Sequence, residues 1–290
     1  MNKNFNGLTV VNLELTSKCQ KACFCCGRRK LEKEHPELCN FGDMDFSLAK
    51  SIIDQLPKGI IIQYHNNGEP LLYPYLKEIL GYSKGFIRAF NTNAILLLDK
   101  MYDIIDNMES ITISVIGNDP LQDEQYEIVK KFLDIKGSRK PLVVFRLLGN
   151  VGKKDWFFDE ILESEIPIAE QFRRDRWYNL AKGYDCIIAT RILHSPDGSF
   201  NYTKKVTIPE TGFCLDLLNH LAINRYGQVS ICVRFDPMGY GIIGDLRNET
   251  LEEIWNGQKR KYYLQEHIKG NRRCNYLCST CDYWGIPMGN

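Results

Sequence analysis

The stretch LELTSKCQKACFCCGRR, residues 13–29, governs the reading of the whole chain. Cys19, Cys23 and Cys26 stand in it as C-x3-C-x2-C, directly after an apolar, strand-like run at 8–15. Three thiolates at this spacing suit three irons of a [4Fe–4S] cube and leave the fourth iron without a protein ligand. An open iron accepts a substrate or cofactor, so the triplet points to chemistry. The competing reading is a structural zinc site, which wants four ligands. Cys25 is the available fourth, but neighbours such as Cys25 and Cys26 ligate one ion awkwardly.

Downstream, apolar runs alternate with helical patterns. Residues 8–15, 59–65, 86–91, 111–116, 142–148 and 187–193 read as strands. They are rich in Val, Ile and Phe, and several are continuously apolar, as buried parallel strands are. Residues 46–56, 75–82, 99–108, 122–135 and 156–162 read as helices. This alternation gives an α/β fold with a parallel sheet and crossover helices. Six strands predict a partial (β/α)6 barrel of TIM type, with its active site at the C-terminal strand ends. The tail differs. It has short strand-like pieces with turn signals at 224–227 and 237–241. Thr250 and Glu253 form a capping-box pattern ahead of Ile254 and Trp255. We expect a barrel domain over 1–200 and a small α+β extension over 201–290, with the boundary near 195–210.

The chain has 290 residues, 44% of them apolar, which suits one large domain plus a small one. A formal charge of +1 with mixed signs argues against a polyanionic partner, so nucleic acid is not expected. The start, MNKNFNGLTVV, lacks the apolar core of a signal peptide. The longest apolar runs, such as 60–62 and 94–98, are too short to span a bilayer. These features predict a soluble, cytoplasmic protein without a membrane partner. Eleven cysteines are present, four of them at 19–26, then Cys214 and Cys232, then Cys274, Cys278 and Cys281, with Cys39 and Cys186 alone. Such clustering points to metal and not to disulfides.

Asn67-Gly68-Glu69-Pro70 follows the second strand, and a Gly-Glu-Pro turn exposes backbone amides and carbonyls. C-x3-C-x2-C after strand one, with N-G-E-P after strand two, resembles the radical S-adenosylmethionine (radical SAM) superfamily over residues 15–200. The resemblance implies that the methionyl amine and carboxylate of SAM chelate the open iron. One electron from the cluster then cleaves the sulfonium, and the 5′-deoxyadenosyl radical takes hydrogen from a substrate. The protein supplies binding and orientation. It further implies that Asn67, Gly68, Glu69, Pro70, Thr92, Asn93, Ser114 and Arg146 contact SAM. Thr92 and Asn93 would meet the ribose, and Arg146 the carboxylate. For Arg146, and for Glu14 in the first strand, an ion pair inside the barrel is the competing role. Two positions depart from the family pattern. Asn67 replaces the first Gly of the turn, and Cys25 occupies the usual aromatic position, with Phe24 one place earlier.

Cys214, Gly227 and Cys232 form C-x12-G-x4-C, followed by Cys274-x3-Cys278-x2-Cys281. This resembles the SPASM/Twitch extensions that hold auxiliary iron–sulfur clusters. Five cysteines suit one four-ligand [4Fe–4S] cluster, as in a Twitch domain. The expected ligands are Cys214, Cys232, Cys278 and Cys281, with Cys274 spare or replacing Cys278 or Cys281. A zinc ribbon is the competing reading. Gly227 belongs in a hairpin turn and Cys232 on the returning strand.

Minor features complete the reading. Residues 172–177, FRRDRW, are a solvated turn or a substrate-anion site. Arg28, Arg29 and Lys30 read as a solvated helix face. Cys39 and Cys186 are buried hydrophobes, or catalytic hydrogen-atom donors where they face the pocket. His65 reads as a satisfied barrel residue. The resemblance makes the protein a SAM-cleaving enzyme of oxidoreductase or epimerase type. It would act on a small sugar- or aminocyclitol-like metabolite, fed by a donor such as flavodoxin or ferredoxin. The alternatives are a maturase of ribosomal peptides and a non-catalytic iron–sulfur or zinc protein.

Overall fold

The computed structural model describes residues 4–117, 119–148, 168–191, 213–279 and 281. The chain divides into two compact units, Met1–Arg88 with His194–Asn290, and Ala89–Leu193. The expected helix at 156–162 and the boundary near 195–210 lie outside the described residues, as do the last two positions of the expected strand at 187–193.

In the first unit, β1 (Val10–Leu13) pairs in parallel with β2 (Ile61–Gln63), Val11 opposite Ile62. Its other edge also pairs in parallel, with β7 (His220–Ile223), Val11 opposite Leu221. The tail strand therefore extends the same sheet and does not stand apart. β8 (Gln228–Ser230) and β9 (Ile242–Asp245) continue it antiparallel. Val11, Asn12 and Leu13 are buried in succession, and so are Leu221, Ala222 and Ile223, as strands covered on both faces require.

Helices α1 (Arg28–Glu34), α2 (Phe46–Gln55) and α3 (Leu76–Tyr82) follow the first two strands. Asp45 caps α2 by accepting from the Leu48 amide at 2.9 Å. Ala49, Ile52 and Ile53 form its buried stripe at helical spacing. The tail adds α7 (Leu215–Asn219), α8 (Leu251–Trp255), α9 (Gln258–Ile268) and α10 (Tyr276–Ser279). The Thr250–Glu253 capping box starts α8 as the sequence predicts. Arg260 lies 3.3 Å over the Trp255 ring and donates to the Leu217 and Leu218 carbonyls at 3.0 Å, tying α9 to α8 and α7.

In the second unit, β3 (Ile87–Thr92, from Ala89 on), β4 (Ser110–Ile116), β5 (Leu142–Leu148) and β6 (Ile187–Arg191) are all parallel. Ser114 stands opposite Arg146, and Arg146 opposite Ala189. Ile111, Ile113, Val115, Val143, Phe145 and Leu147 are buried on one face, while Thr112, Ser114 and Arg146 alternate onto the other. Here α4 (Met101–Ile104) is much shorter than the expected 99–108, and α5 (Gln122–Lys136) matches its expected start. α6 (Ile168–Gly183) absorbs the FRRDRW run, which is helix and not a turn. Trp177 is buried edge-on against Phe145 and Tyr126, at 4.9 and 5.3 Å between centroids. Among the described residues, no helix is long and apolar enough to cross a membrane.

Candidate active site

The loop that leaves β1 is pinned before its first cysteine. Thr16 donates its hydroxyl to Asp43 at 2.7 Å and accepts from the Lys18 amide at 3.1 Å. Lys18 pairs with the other Asp43 oxygen at 2.7 Å. Ser17 and Gly42 exchange hydrogen bonds through the Ser17 amide (2.9 Å) and the Gly42 amide (3.0 Å). A single turn links Cys23 and Cys26, the Cys26 amide donating to the Cys23 carbonyl at 3.1 Å, and the chain then enters α1. At Gly27 a Cβ would stand 2.6 Å from the Phe235 ring, so the tail packs directly on the cysteine loop. Cys25 is buried, whereas Phe24 is 57% exposed. The inward position before the third cysteine is thus filled by a thiol, and the nearby aromatic faces solvent. None of the eleven cysteines, all of them described, is in a disulfide.

The Asn67–Pro70 turn lies on this loop. The Glu69 amide donates to the Lys18 carbonyl at 2.7 Å. A Cβ on Gly68 would fall 2.0 Å from the Thr16 carbonyl oxygen and 2.9 Å from that of Lys18, so only glycine fits. Asn67 has its own reason to replace glycine: its side-chain amide donates to Glu14 Oε1 at 3.1 Å. The other oxygen of Glu14 accepts from the Arg225 amide at 3.1 Å. Burial pushes the Glu14 carboxyl above its ordinary pKa, against the pull of these hydrogen bonds. Glu69 is buried and accepts from the Leu71 amide at 3.2 Å. Its side chain shapes the turn from inside. The competing barrel role for Glu14 is therefore met by hydrogen bonds to Asn67 and to the tail hairpin.

The remaining SAM candidates belong to the second unit. Thr92 is buried, with its hydroxyl accepting from the Ala94 amide at 2.9 Å, and Asn93 accepts similarly from Ile95 at 3.1 Å. Ser114 and Arg146 share the polar face in register. Asn91, opposite Thr112, lies on that same face and escaped the sequence reading. So did buried Gln125, which donates to the Asn93 and Ser114 carbonyls at 2.8 and 2.9 Å and binds the ends of β3 and β4 together. Only an amide in the first turn of a helix marks it in sequence, which is too common a feature to single out.

Several candidates have structural roles. Arg173 donates to the Val115 carbonyl at 3.2 Å, and Arg176 pairs with Asp123 and Glu127 over the Tyr126 ring. These cations dock α6, which replaces both the solvated-turn and the anion-site readings for them. Cys186 precedes β6, at the strand's N-terminal end, and its sulfur contacts the Tyr184 carbonyl at 3.7 Å. Burial pushes this thiol up to about 11. Barrel chemistry sits at the opposite strand ends. Cys39 lies after a short 3-10 turn, with its sulfur 3.7 Å from the His35 carbonyl oxygen. His65 is half-buried at the end of β2. Arg29 pairs with Glu32, but Arg28 is buried, contrary to the solvated face expected for it.

In the tail, Cys214 caps α7 and Gly227 turns the β7–β8 hairpin at φ +84°. Cys232 lies past the end of β8 and not on the strand; its amide donates to Ser230 Oγ at 3.2 Å, beside a register shift at Val229/Ser230. Cys278 is in α10, and the Cys281 amide donates to the Cys278 carbonyl at 3.2 Å. Burial is the main cause that pushes Cys214 up to about 11 and Cys232 up to about 12, and it raises Cys278 as well. Behind it come neighbouring charges. Asp216 and Cys281 act on Cys214; Cys214 and Cys281 act on Cys232 against Arg234; Cys232, Cys214, Cys274 and Cys281 act on Cys278. Cys274 is shifted by burial and then by Glu266. The first four thiols thus sense one another as a group, with Cys274 at its margin. Burial disfavours the thiolate form of these side chains, a bound metal cation favours it, and all-sulfur donors suit an iron–sulfur cluster. Among the described residues, no three Cys, His, Asp or Glu converge as ligands of one ion. Each thiolate of a cube takes its own iron, so the fit rests on the donor set.

Residues 214–282 match the family model of the SPASM iron-sulfur cluster-binding domain. No curated protein matches the chain. Among solved structures, BtrN in complex with AdoMet and 2-DOIA is similar at 17% identity and a TM-score of 0.54, covering 94% of this chain and 92% of that one. Native anSMEcpe with bound AdoMet gives 11% identity and 0.57, covering 90% and 84%. Streptococcus suis SuiB bound to precursor peptide SuiA gives 12% and 0.52, covering 95% and 71%. These likenesses establish the radical SAM fold, in which a partial barrel carries an iron–sulfur extension. Beyond the shared fold, the match over 214–282 marks the tail as an iron–sulfur cluster-binding domain.

Proposed function

We propose that the protein is a radical SAM enzyme that oxidises or epimerises a small polar metabolite of sugar or aminocyclitol type. The observation that carries the SAM site is the Gly68–Glu69 turn seated on the cysteine loop, with the Glu69 amide on the Lys18 carbonyl. When bound, the open-iron cluster and SAM supply a carbon radical that abstracts hydrogen. Cys19, Cys23 and Cys26 would hold the cluster. The turn offers backbone groups to the methionyl moiety. Glu14 fixes Asn67 and the tail hairpin at once, so the turn keeps its place. Cys214, Cys232, Cys278 and Cys281 would hold one auxiliary cluster, a one-electron sink during oxidation. A flavodoxin- or ferredoxin-type donor provides the reducing electron.

The substrate class is supported by the BtrN likeness, which spans 92% of a chain crystallised with 2-DOIA. The second reading, a peptide maturase, is supported by SuiB, crystallised with its precursor peptide. Anaerobically reconstituted protein with SAM, dithionite and either an aminocyclitol panel or candidate precursor peptides separates the two. Turnover of a free aminocyclitol or sugar supports the proposal. Modification of peptide alone overturns its substrate class.

A further inference from the structure

Arg28 opens α1, two residues after Cys26. It is 6% exposed. Its guanidinium lies over the Phe41 ring, 3.7 Å from the centroid. Both Nε and Nη1 are buried, and no hydrogen-bond acceptor reaches either. Arg29, next to it, satisfies its charge with Glu32 at 2.6 Å. A guanidinium does not escape burial by losing its proton, so its unmade hydrogen bonds carry a full desolvation cost. Phe41 compensates one face only, and cation–π contact leaves the N–H edge unserved. Phe235 packed on Gly27 closes the loop on another side. The missing partner is therefore an acceptor on the cysteine-loop side.

We propose that Arg28 is the counter-cation of the cluster held by Cys19, Cys23 and Cys26, donating its buried N–H groups to the cluster's sulfurs and favouring its reduced form. This rests on the radical SAM reading above. Reduction adds one electron, taken in the assay from dithionite, and breaks no bond. The cluster with its thiolates gains one negative charge, and a cation with N–H donors beside the sulfurs offsets it. Arg28 is a positioning and tuning residue and not a catalytic one.

The test is an EPR-monitored redox titration of the full, reconstituted protein without SAM. The relevant cluster is identified as the signal that changes shape when SAM is added afterwards; the auxiliary signal is the internal reference. Arg28→Gln is expected to lower the reduced-to-oxidised ratio of the SAM-responsive cluster about tenfold at fixed potential, ~59 mV for one electron. Arg28→Lys, which keeps the charge, is expected to titrate close to wild type, and the auxiliary signal to stay put. Should Arg28→Gln load no iron while Arg28→Lys loads and titrates near wild type, the charge requirement stands. Equal titration of wild type and Arg28→Gln, both fully loaded, overturns the proposal. Unchanged titration with weakened SAM binding overturns it too, assigning Arg28 to the methionyl carboxylate. A wild type with no SAM-responsive signal removes the radical SAM reading itself.

Discussion

Gly68→Ala adds one methyl group to the tightest backbone contact of the site. The new Cβ would stand 2.0 Å from the Thr16 carbonyl oxygen, 2.8 Å from its carbon and 2.9 Å from the Lys18 carbonyl oxygen. All three atoms are backbone, so no rotamer relieves the clash, and the turn must retreat by more than about 1 Å. That retreat breaks the 2.7 Å bond from the Glu69 amide to Lys18. Overpacking costs about 1–3 kcal/mol, and a lost hydrogen bond about 1 kcal/mol. We therefore expect a loss of roughly 2–4 kcal/mol, a large part of the about 5–15 kcal/mol that holds a domain folded. A turn displaced by ~1 Å is also expected to slow SAM cleavage about 100-fold. Urea unfolding of the apo protein and 5′-deoxyadenosine formation by the reconstituted protein read the two effects. Gly81→Ala is the matched control. Nothing stands within 4 Å of its Cβ position in α3, and the change is expected to gain up to about 1 kcal/mol. A Gly68→Ala protein with wild-type stability and SAM cleavage would refute the close-approach argument.

Cys214→Ala, Cys232→Ala, Cys278→Ala and Cys281→Ala should each lower iron from about eight to about four per chain after reconstitution, and Cys274→Ala should leave it unchanged. Iron analysis decides, and loss with Cys274→Ala would move the ligand set. Glu14 has a carboxyl raised by burial, so the folded state binds its proton more tightly than the unfolded chain. Its contribution to stability is full below the ordinary 4.5 and is lost as pH rises through the raised folded value. Glu14→Gln should flatten that pH dependence while costing about 1 kcal/mol, because an amide cannot accept at both oxygens. Urea midpoints measured from acidic to neutral pH check it. Thr250→Ala removes the hydroxyl that accepts from the Glu253 amide at 3.2 Å and should cost about 1 kcal/mol in the same assay.

Much of this architecture is written in local patterns. Continuous apolar runs gave the strands, and β5 (Leu142–Leu148) matches its sequence range end to end because its run is apolar but for Arg146. The Thr250 cap and the Gly227 turn were equally readable, since each depends on residues next to one another. What the sequence hid is long-range. The parallel pairing of β7 with β1 joins residues some 210 positions apart, and no local pattern encodes it. The burial of Arg28 involves the Phe41 ring, which lies beyond its own helix, so its basic neighbours Arg29 and Lys30 made it look solvated. FRRDRW reads as a charge run until Asp123, Glu127 and Val115 of other elements take up its cations. The cysteine triplet was legible for the opposite reason: its chemistry needs only a loop and a spacing.

The central claim is that Cys19, Cys23 and Cys26 hold an open-iron cluster on which the Gly68–Glu69 turn presents SAM. The most direct measurement is 5′-deoxyadenosine formed from SAM and dithionite by anaerobically reconstituted protein, compared with Cys23→Ala. The account predicts formation by the wild type and none by the variant, whose auxiliary iron, about four per chain, should remain. A fully loaded wild type that leaves SAM intact would contradict it.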